Sequence, residues 1–312
     1  RPLPPRLRHC TVARAKRAVG RASTRARQPP ARAAATEASV DDLEAAGKFR
    51  EAAQLARSLG FERRAKELWI ADSEQAIRKS LTQGTPIKAV SRAGKHPASQ
   101  RFFLETAVAE GMLDLARQQA RIWNQTLQAT AEAERLREQR QERHYSMPST
   151  VQVQVVDKEA HLKSAFTVLC GASAVGLDVE CSMFGEPALL QLSTRESTYL
   201  LDLLKLGRSK VFGDRLLDLF TDGKVAKLVF GGRDDFKFLR KLEGLRGRKR
   251  IQCEPCVDVQ KVAQKDLAAG SQVGLSNVTA HYLGRPLDKQ MQASDWMARP
   301  LGEAQCHYAS LD

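Results

Sequence analysis

The 312-residue sequence has no acidic side chain before Glu37 and six cysteines that follow no regular framework. It has no run approaching the roughly 18–20 unbroken apolar residues a membrane span requires. Each absence excludes something. The missing apolar run excludes an integral membrane protein, and no membrane partner is expected. The unpatterned cysteines exclude a disulfide-stapled secreted domain and point to a reducing, intracellular compartment. What is present, 42% hydrophobic and 28% charged residues, is ordinary globular composition, and the length suits about two domains.

The formal net charge of +14 is unevenly spread. Ten basic residues (Arg1, Arg6, Arg8, Arg14, Lys16, Arg17, Arg21, Arg25, Arg27, Arg32) fall within residues 1–36, leaving 40 basic against 36 acidic groups in the remainder. Residues 1–39, rich in Arg, Ala, Pro, Ser and Thr, cannot build a core and are expected to be a disordered basic extension. Their composition is that of a chloroplast or mitochondrial transit peptide. A basic tail without targeting value, in a nuclear or cytoplasmic protein, is the alternative. The first residue is not Met and the last falls inside an expected helix, so the sequence is expected to be a piece of a longer chain.

Residues 40–146 read as α-helical. Phe49, Ala52, Ala53, Ala56 and Leu59 share one helix face. An echo follows: Gly47-x-Phe49-x-x-Ala52-x-x-x-Ala56 recurs from Gly84 as Gly-x-Pro-x-x-Ala-x-x-x-Ala and again from Gly111 as Gly-x-Leu-x-x-Ala-x-x-x-Ala. A helical-hairpin solenoid and an ordinary bundle with short Gly turns both fit it. Residues 131–144 are almost wholly polar and read as a solvated helix or linker. Residues 147–150 (MPST) then break the helix.

From Val151 the texture changes. VQVQVV alternates as a half-buried strand does, a helical stretch with Leu162, Phe166, Val168 and Leu169 follows, and short apolar runs at 174–180, 188–192, 198–202 and 227–230 read as further strands. Strands in a cluster, then strand and helix in alternation, predict a layered α/β domain over 151–312.

Asp178 and Glu180 stand two apart on one expected strand, so both carboxylates leave the same face of the sheet. Their flank, AVGLDVE, is otherwise apolar, where an unpaired charge is costly. Two acids side by side on a surface strand are the plain alternative. After the Gly231-Gly232 turn, Asp235, Phe238, Leu239 and Leu242 fall at i, i+3, i+4, i+7, which places Asp235 on the inward face of a helix and leaves Asp234 to cap it or face solvent; an N-terminal acid that complements the helix dipole is the alternative for Asp235. Tyr308 and Asp312 share a helix face at i, i+4.

Together these clusters resemble the DEDDy family of 3′–5′ exonucleases. The likeness is to the ribonuclease D-like branch that includes the Werner helicase exonuclease domain and mutator-type exonucleases with helical N-terminal regions. The three motifs appear as VGLDVE, VFGGRDDFKFL and CHYASLD, with Trp296 and Pro300 in the family's intervening run. The resemblance implies a ribonuclease H-like mixed sheet flanked by helices, incomplete at its C-terminus. It also implies two divalent cations, Mg²⁺ or Mn²⁺, held by Asp178, Glu180, Asp235 and Asp312, with Tyr308 orienting the attacking water. The implied partner is a single-stranded nucleic-acid 3′ end, RNA favoured over DNA. A catalytically weak nucleic-acid-binding scaffold whose helical region recruits a protein partner is the alternative.

Arg240, Lys241, Arg246, Arg248, Lys249 and Arg250 form a basic run able to engage phosphates or to line a solvated loop. Cys253-x-x-Cys256 has half of a zinc-site spacing but no second CxxC or nearby His pair, so incidental cysteines are the preferred reading, with a structural site completed by Cys306 or His307 as the alternative.

Overall fold

The computed structural model describes residues 36–182, 184–231, 235–246, 251–267 and 273–312. Residues 1–35 of the basic extension, Gly232 and Asp234 of the expected turn, and Arg248, Lys249 and Arg250 of the basic run lie outside them.

The helical part runs α1 (Glu37–Ala45), α2 (Phe49–Ser58), α3 (Glu62–Thr82), α4 (Pro86–Ala93), α5 (Pro97–Ala109), α6 (Leu113–Ile122) and α7 (Ala131–Arg143). Residues 37–39, expected in the extension, open α1 instead: Glu37 lies in its first turn and Val40 is buried. The glycine echo marks a recurring turn. Gly47, Gly84 and Gly111 all adopt left-handed φ of 65–73°, and each is followed by a residue whose N–H reaches back five positions: Lys48 to Leu43, Thr85 to Ser80, Met112 to Ala107, all at 2.8 Å. This closes the preceding helix and reverses the chain. The buried alanines Ala52 and Ala56, Ala89 and Ala93, and Ala116 and Ala120 then let the next helix pack closely. The echo's uneven spacing has a simple origin: α2 and α3 have 10 and 21 residues where α4 and α5 have 8 and 13.

The polar segment 131–144 forms a helix, α7, the first of its two expected forms, with Ala133 its one buried side chain; beyond that expectation, the helix is docked. Arg137 donates to Asp114 at 2.9 Å, and Arg140 grips both oxygens of Asp288 at 2.9 and 2.8 Å. Docking through guanidinium–carboxylate pairs leaves no apolar period to read. Gly111 admits the helix: a Cβ there would meet the Leu136 carbonyl at 2.6 Å.

The α/β part contains β1 (Gln152–Val156), α8 (Leu162–Gly171), β2 (Ala174–Cys181), β3 (Pro187–Ser193), β4 (Ser197–Asp202), α9 (Leu203–Leu206), α10 (Lys210–Thr221), β5 (Ala226–Val229), α11 (Asp235–Leu239), β6 (Cys256–Asp258), α12 (Val259–Asp266), α13 (Leu275–Leu283) and α14 (Glu303–Leu311). The sheet order is β1-β4-β3-β2-β5-β6, with β2–β3 and β3–β4 antiparallel and the other pairs parallel. This is the expected mixed sheet flanked by helices. The sixth strand, β6, was not expected, since three residues are too few to show an alternation.

The two sheet faces differ. Val175, Leu177 and Val179 of β2 point to one face and pack with Phe166 of α8 and Phe212 and Leu216 of α10. On the other, Leu189 and Leu200 join Trp296, Tyr308 and Ala309, together with Ile77, Leu81, Phe103, Met112 and Leu115 from the helical part. The helical region and this sheet face therefore share one apolar core. Among the described residues, no helix is long and apolar enough to cross a membrane.

Candidate active site

The alternation of β2 sends Val175, Leu177 and Val179 into the first core, so Asp178 and Glu180 emerge on the opposite face. That face is covered by α14, which carries Tyr308 and is capped at its C-terminal end by Asp312. Carboxylate oxygens of Asp178, Glu180 and Asp312 come within 4.8 Å of one another. Two strand residues and one residue some 130 positions later thus meet at one point.

The helix that delivers Asp312 is tied down from several directions. Arg299 donates to both oxygens of the buried Asp202 at 2.7 and 2.9 Å, to the Ala188 carbonyl of β3 at 2.8 Å and to the Trp296 carbonyl at 2.8 Å. Gln305 of α14 donates to Ser294 Oγ at 2.7 Å and to the Asp295 carbonyl at 3.0 Å. Gln118 of α6 donates to the same Ser294 Oγ at 2.9 Å and accepts from the Asp295 N–H at 3.0 Å. The helical region reaches the site through this loop.

Asp235 opens α11 and is partly buried, as the period required. The helix ends at Leu239, so Leu242 reaches the core from the following turn rather than from a fourth position on the same face. Asp235 does not join the tight group, yet its charge raises the pKa of both Asp178 and Glu180.

Burial and mutual repulsion dominate the electrostatics. Burial, then Asp312 and Asp235, pushes Asp178 up to about 7. Burial, then Asp178 and Asp312, holds Glu180 well above the usual carboxylate range. Asp312 is raised by burial, which the Tyr308 hydroxyl and Lys289 oppose. Burial and Asp312 push Tyr308 far above the ordinary phenol range. A buried group of like charges is unfavourable alone and favourable around a cation. The donor set, carboxylate oxygens without His or Cys, suits a hard ion such as Mg²⁺ or Mn²⁺.

Lys289 escaped the sequence reading. It is partly buried between Asp288 and Gln290 in a segment without periodicity, yet its charge acts on Asp178 and Asp312. Phe184 also escaped notice: it is 83% exposed on the β2–β3 hairpin that directly follows Glu180. A lone aromatic in a turn gives no pattern to find.

In the basic run, Arg240, Lys241 and Arg246 are exposed. Lys241 donates to the Gly185 carbonyl and pairs with Glu186 at 3.8 Å. The structure agrees with incidental cysteines rather than a zinc site through Cys306. Cys253 packs against the first core and Cys306 against the second, on opposite faces of the sheet, so they cannot complete one zinc site. Among the described residues, the metal-competent group of His, Cys, Asp and Glu is Asp178, Glu180 and Asp312.

A mixed sheet with acids gathered on one face beneath a helix bearing Tyr and Asp is an arrangement able to hold divalent cations. A family profile described as 3′–5′ exonuclease matches residues 153–312, just over half of the chain. The chain belongs to this 3′–5′ exonuclease family, hydrolases that act on nucleic acid. Among curated relatives, Ribonuclease D of Musicola paradisiaca is 32% identical over 142 residues, covering 44% of this chain and 35% of that protein. Exosome complex component 10 homolog of Drosophila melanogaster is 28% identical over 172 residues, covering 54% of this chain and 18% of the relative. The chain thus spans well under half the length of these relatives. Among solved structures, the Aedes aegypti Nibbler EXO domain aligns with a TM-score of 0.47 at 24% identity, covering 54% of this chain and 85% of that one.

Proposed function

We propose that the chain is a metal-dependent 3′–5′ exonuclease that hydrolyses phosphodiester bonds at single-stranded 3′ ends, RNA in preference to DNA. The observation that carries the reading is the convergence of the Asp178, Glu180 and Asp312 carboxylates within 4.8 Å. Asp178, Glu180, Asp235 and Asp312 hold the cations, two Mg²⁺ or Mn²⁺. When bound, such ions supply Lewis acidity toward the attacking and leaving oxygens of the displacement.

The protein's own groups do the rest. Tyr308, its pKa raised above an already high value and its hydroxyl engaged with Asp312, stays protonated at neutral pH and serves to orient the nucleophilic water rather than to act as a base. Burial and mutual repulsion raise Asp178 to about 7 and hold Glu180 above the usual carboxylate range before loading, so cation uptake is coupled to release of the protons they retain. Arg240, Lys241, Arg246 and, beyond the described residues, Arg248, Lys249 and Arg250 meet the phosphates. Phe184 offers an exposed ring on which a base can stack.

The preference for RNA is supported by the names of the relatives, Ribonuclease D among them. Matched 5′-labelled RNA and DNA oligonucleotides, incubated with Mn²⁺ and with EDTA, test it. RNA should shorten from its 3′ end faster than DNA, and EDTA should stop both. Equal rates would remove the substrate preference. Binding without shortening would replace the enzyme with a scaffold that recruits partners through its helices.

A further inference from the structure

Directly opposite Asp178, across the antiparallel β2–β3 pair, stands Gln191. Residues so paired project from the same face with Cβ atoms about 4.5–5.5 Å apart, so the Gln191 amide and the Asp178 carboxylate rise side by side beneath α14. Gln191 is 1% exposed. Among the described residues, neither its Nε2 nor its Oε1 has a hydrogen-bond partner. Its neighbours within the sheet on that face partner neither atom. Leu200 lies opposite on β4, and Leu189 and Ser193 flank it along β3; Ser193 Oγ already accepts from Thr198 Oγ1 at 3.1 Å.

A buried amide with both ends unpaired is a rare arrangement. Packing alone would favour an apolar side chain at this position, as at Leu189 and Leu200 beside it on the same face. The carboxylate beside it needs donors. Asp178 accepts from the Val179 backbone N–H, and an ionised carboxylate can accept several hydrogen bonds.

We propose that Gln191 is a positioning residue of the metal site: when the site is loaded, its Nε2–H, unpaired in this structure, turns to donate to the Asp178 carboxylate oxygen facing away from the cations and thereby fixes the oxygen turned toward them. The proposal rests on the metal-dependent reading above and deepens it. Outer partners of this kind orient ligands, and their loss weakens metal affinity by about 10–100-fold. Gln191 itself touches neither substrate nor cation.

The test is Mn²⁺ binding, followed by electron paramagnetic resonance of free Mn²⁺, in wild type, Gln191→Leu and Gln191→Met, with thermal melting of each. Both substitutions keep the volume and remove the donor. The expected result is Mn²⁺ affinity weakened by at least about 10-fold in variants that melt where wild type melts or above. Affinity within twofold of wild type would overturn the proposal. So would a loss of affinity that tracks a loss of melting temperature, or the unfolding of both variants, since each makes the amide merely structural. Wild type that takes up no Mn²⁺ would contradict the metal-dependent reading itself and Gln191's role with it, whereas normal uptake matched by both variants would contradict only the role of Gln191.

Discussion

The two faces of the sheet are built alike and used differently. Both bury a continuous apolar cluster under helices, yet the face covered by α8 and α10 is lined by aliphatic and aromatic side chains such as Val175, Leu177, Phe166 and Phe212. The other face sets Asp178, Glu180 and Gln191 among its apolar residues and is roofed jointly by α14 and the helical region. One strand serves both, since β2 spends alternate residues on each. A site of buried acids needs a stable scaffold beneath it, and the helical part supplies half of the roof.

Substituting across the two faces should separate chemistry from support. Glu180→Gln, on the acid face, is expected to lower exonuclease rate by more than about 1,000-fold by removing a cation ligand, with an unchanged or raised melting temperature. Equal loss of activity from Leu177→Ala, on the opposite face, would break the distinction.

The next largest effect concerns the shared roof. Phe103→Ala empties the second core at the point where Phe103 meets Trp123 edge-on at 5.2 Å. It should cost about 3–5 kcal/mol, lowering the melting temperature by about 10 °C and reducing activity with it. Leu68→Ala, in the separate cluster of α1–α3, should loosen that end and leave activity within twofold. If both variants behave alike, the helical region does not support the site as described.

Proton linkage gives a smaller effect. The Asp178 carboxyl is raised from 3.8 to about 7, so its contribution to stability is fully present below about pH 4 and is lost as pH rises through 7. In metal-free protein, Asp178→Asn should therefore melt several degrees above wild type at pH 8 and together with it near pH 4. A difference independent of pH would remove the repulsion argument.

Smallest is the basic surface. Lys241 is already engaged with Gly185 and Glu186, so Lys241→Ala should change nucleic-acid affinity by about twofold and the salt slope by less than one. A larger change would make Lys241 a principal phosphate contact.

Much of this molecule was legible in its residue pattern, for physical reasons that also set the limits. The alternation of β2 and the i, i+4 spacing of Tyr308 and Asp312 are local, so Asp178, Glu180, Tyr308 and Asp312 could be placed on faces before any tertiary contact was known. The Gly47, Gly84 and Gly111 turns could be read because a left-handed residue at a helix end favours glycine. What escaped depends on distant partners. The docking of α7 rests on Arg140 meeting Asp288, residues 148 positions apart. Lys289 and Gln191 take their meaning from a strand or helix brought beside them by the fold, and β6 is too short to announce itself.

The central claim is that the carboxylates on this one face carry out metal-dependent cleavage. A single experiment reaches it most directly: 5′-labelled single-stranded RNA incubated with Mn²⁺ and either wild-type protein or Asp178→Ala. The account predicts a ladder of products shortened from the 3′ end with wild type and intact RNA with the variant. The same ladder from Asp178→Ala would contradict it.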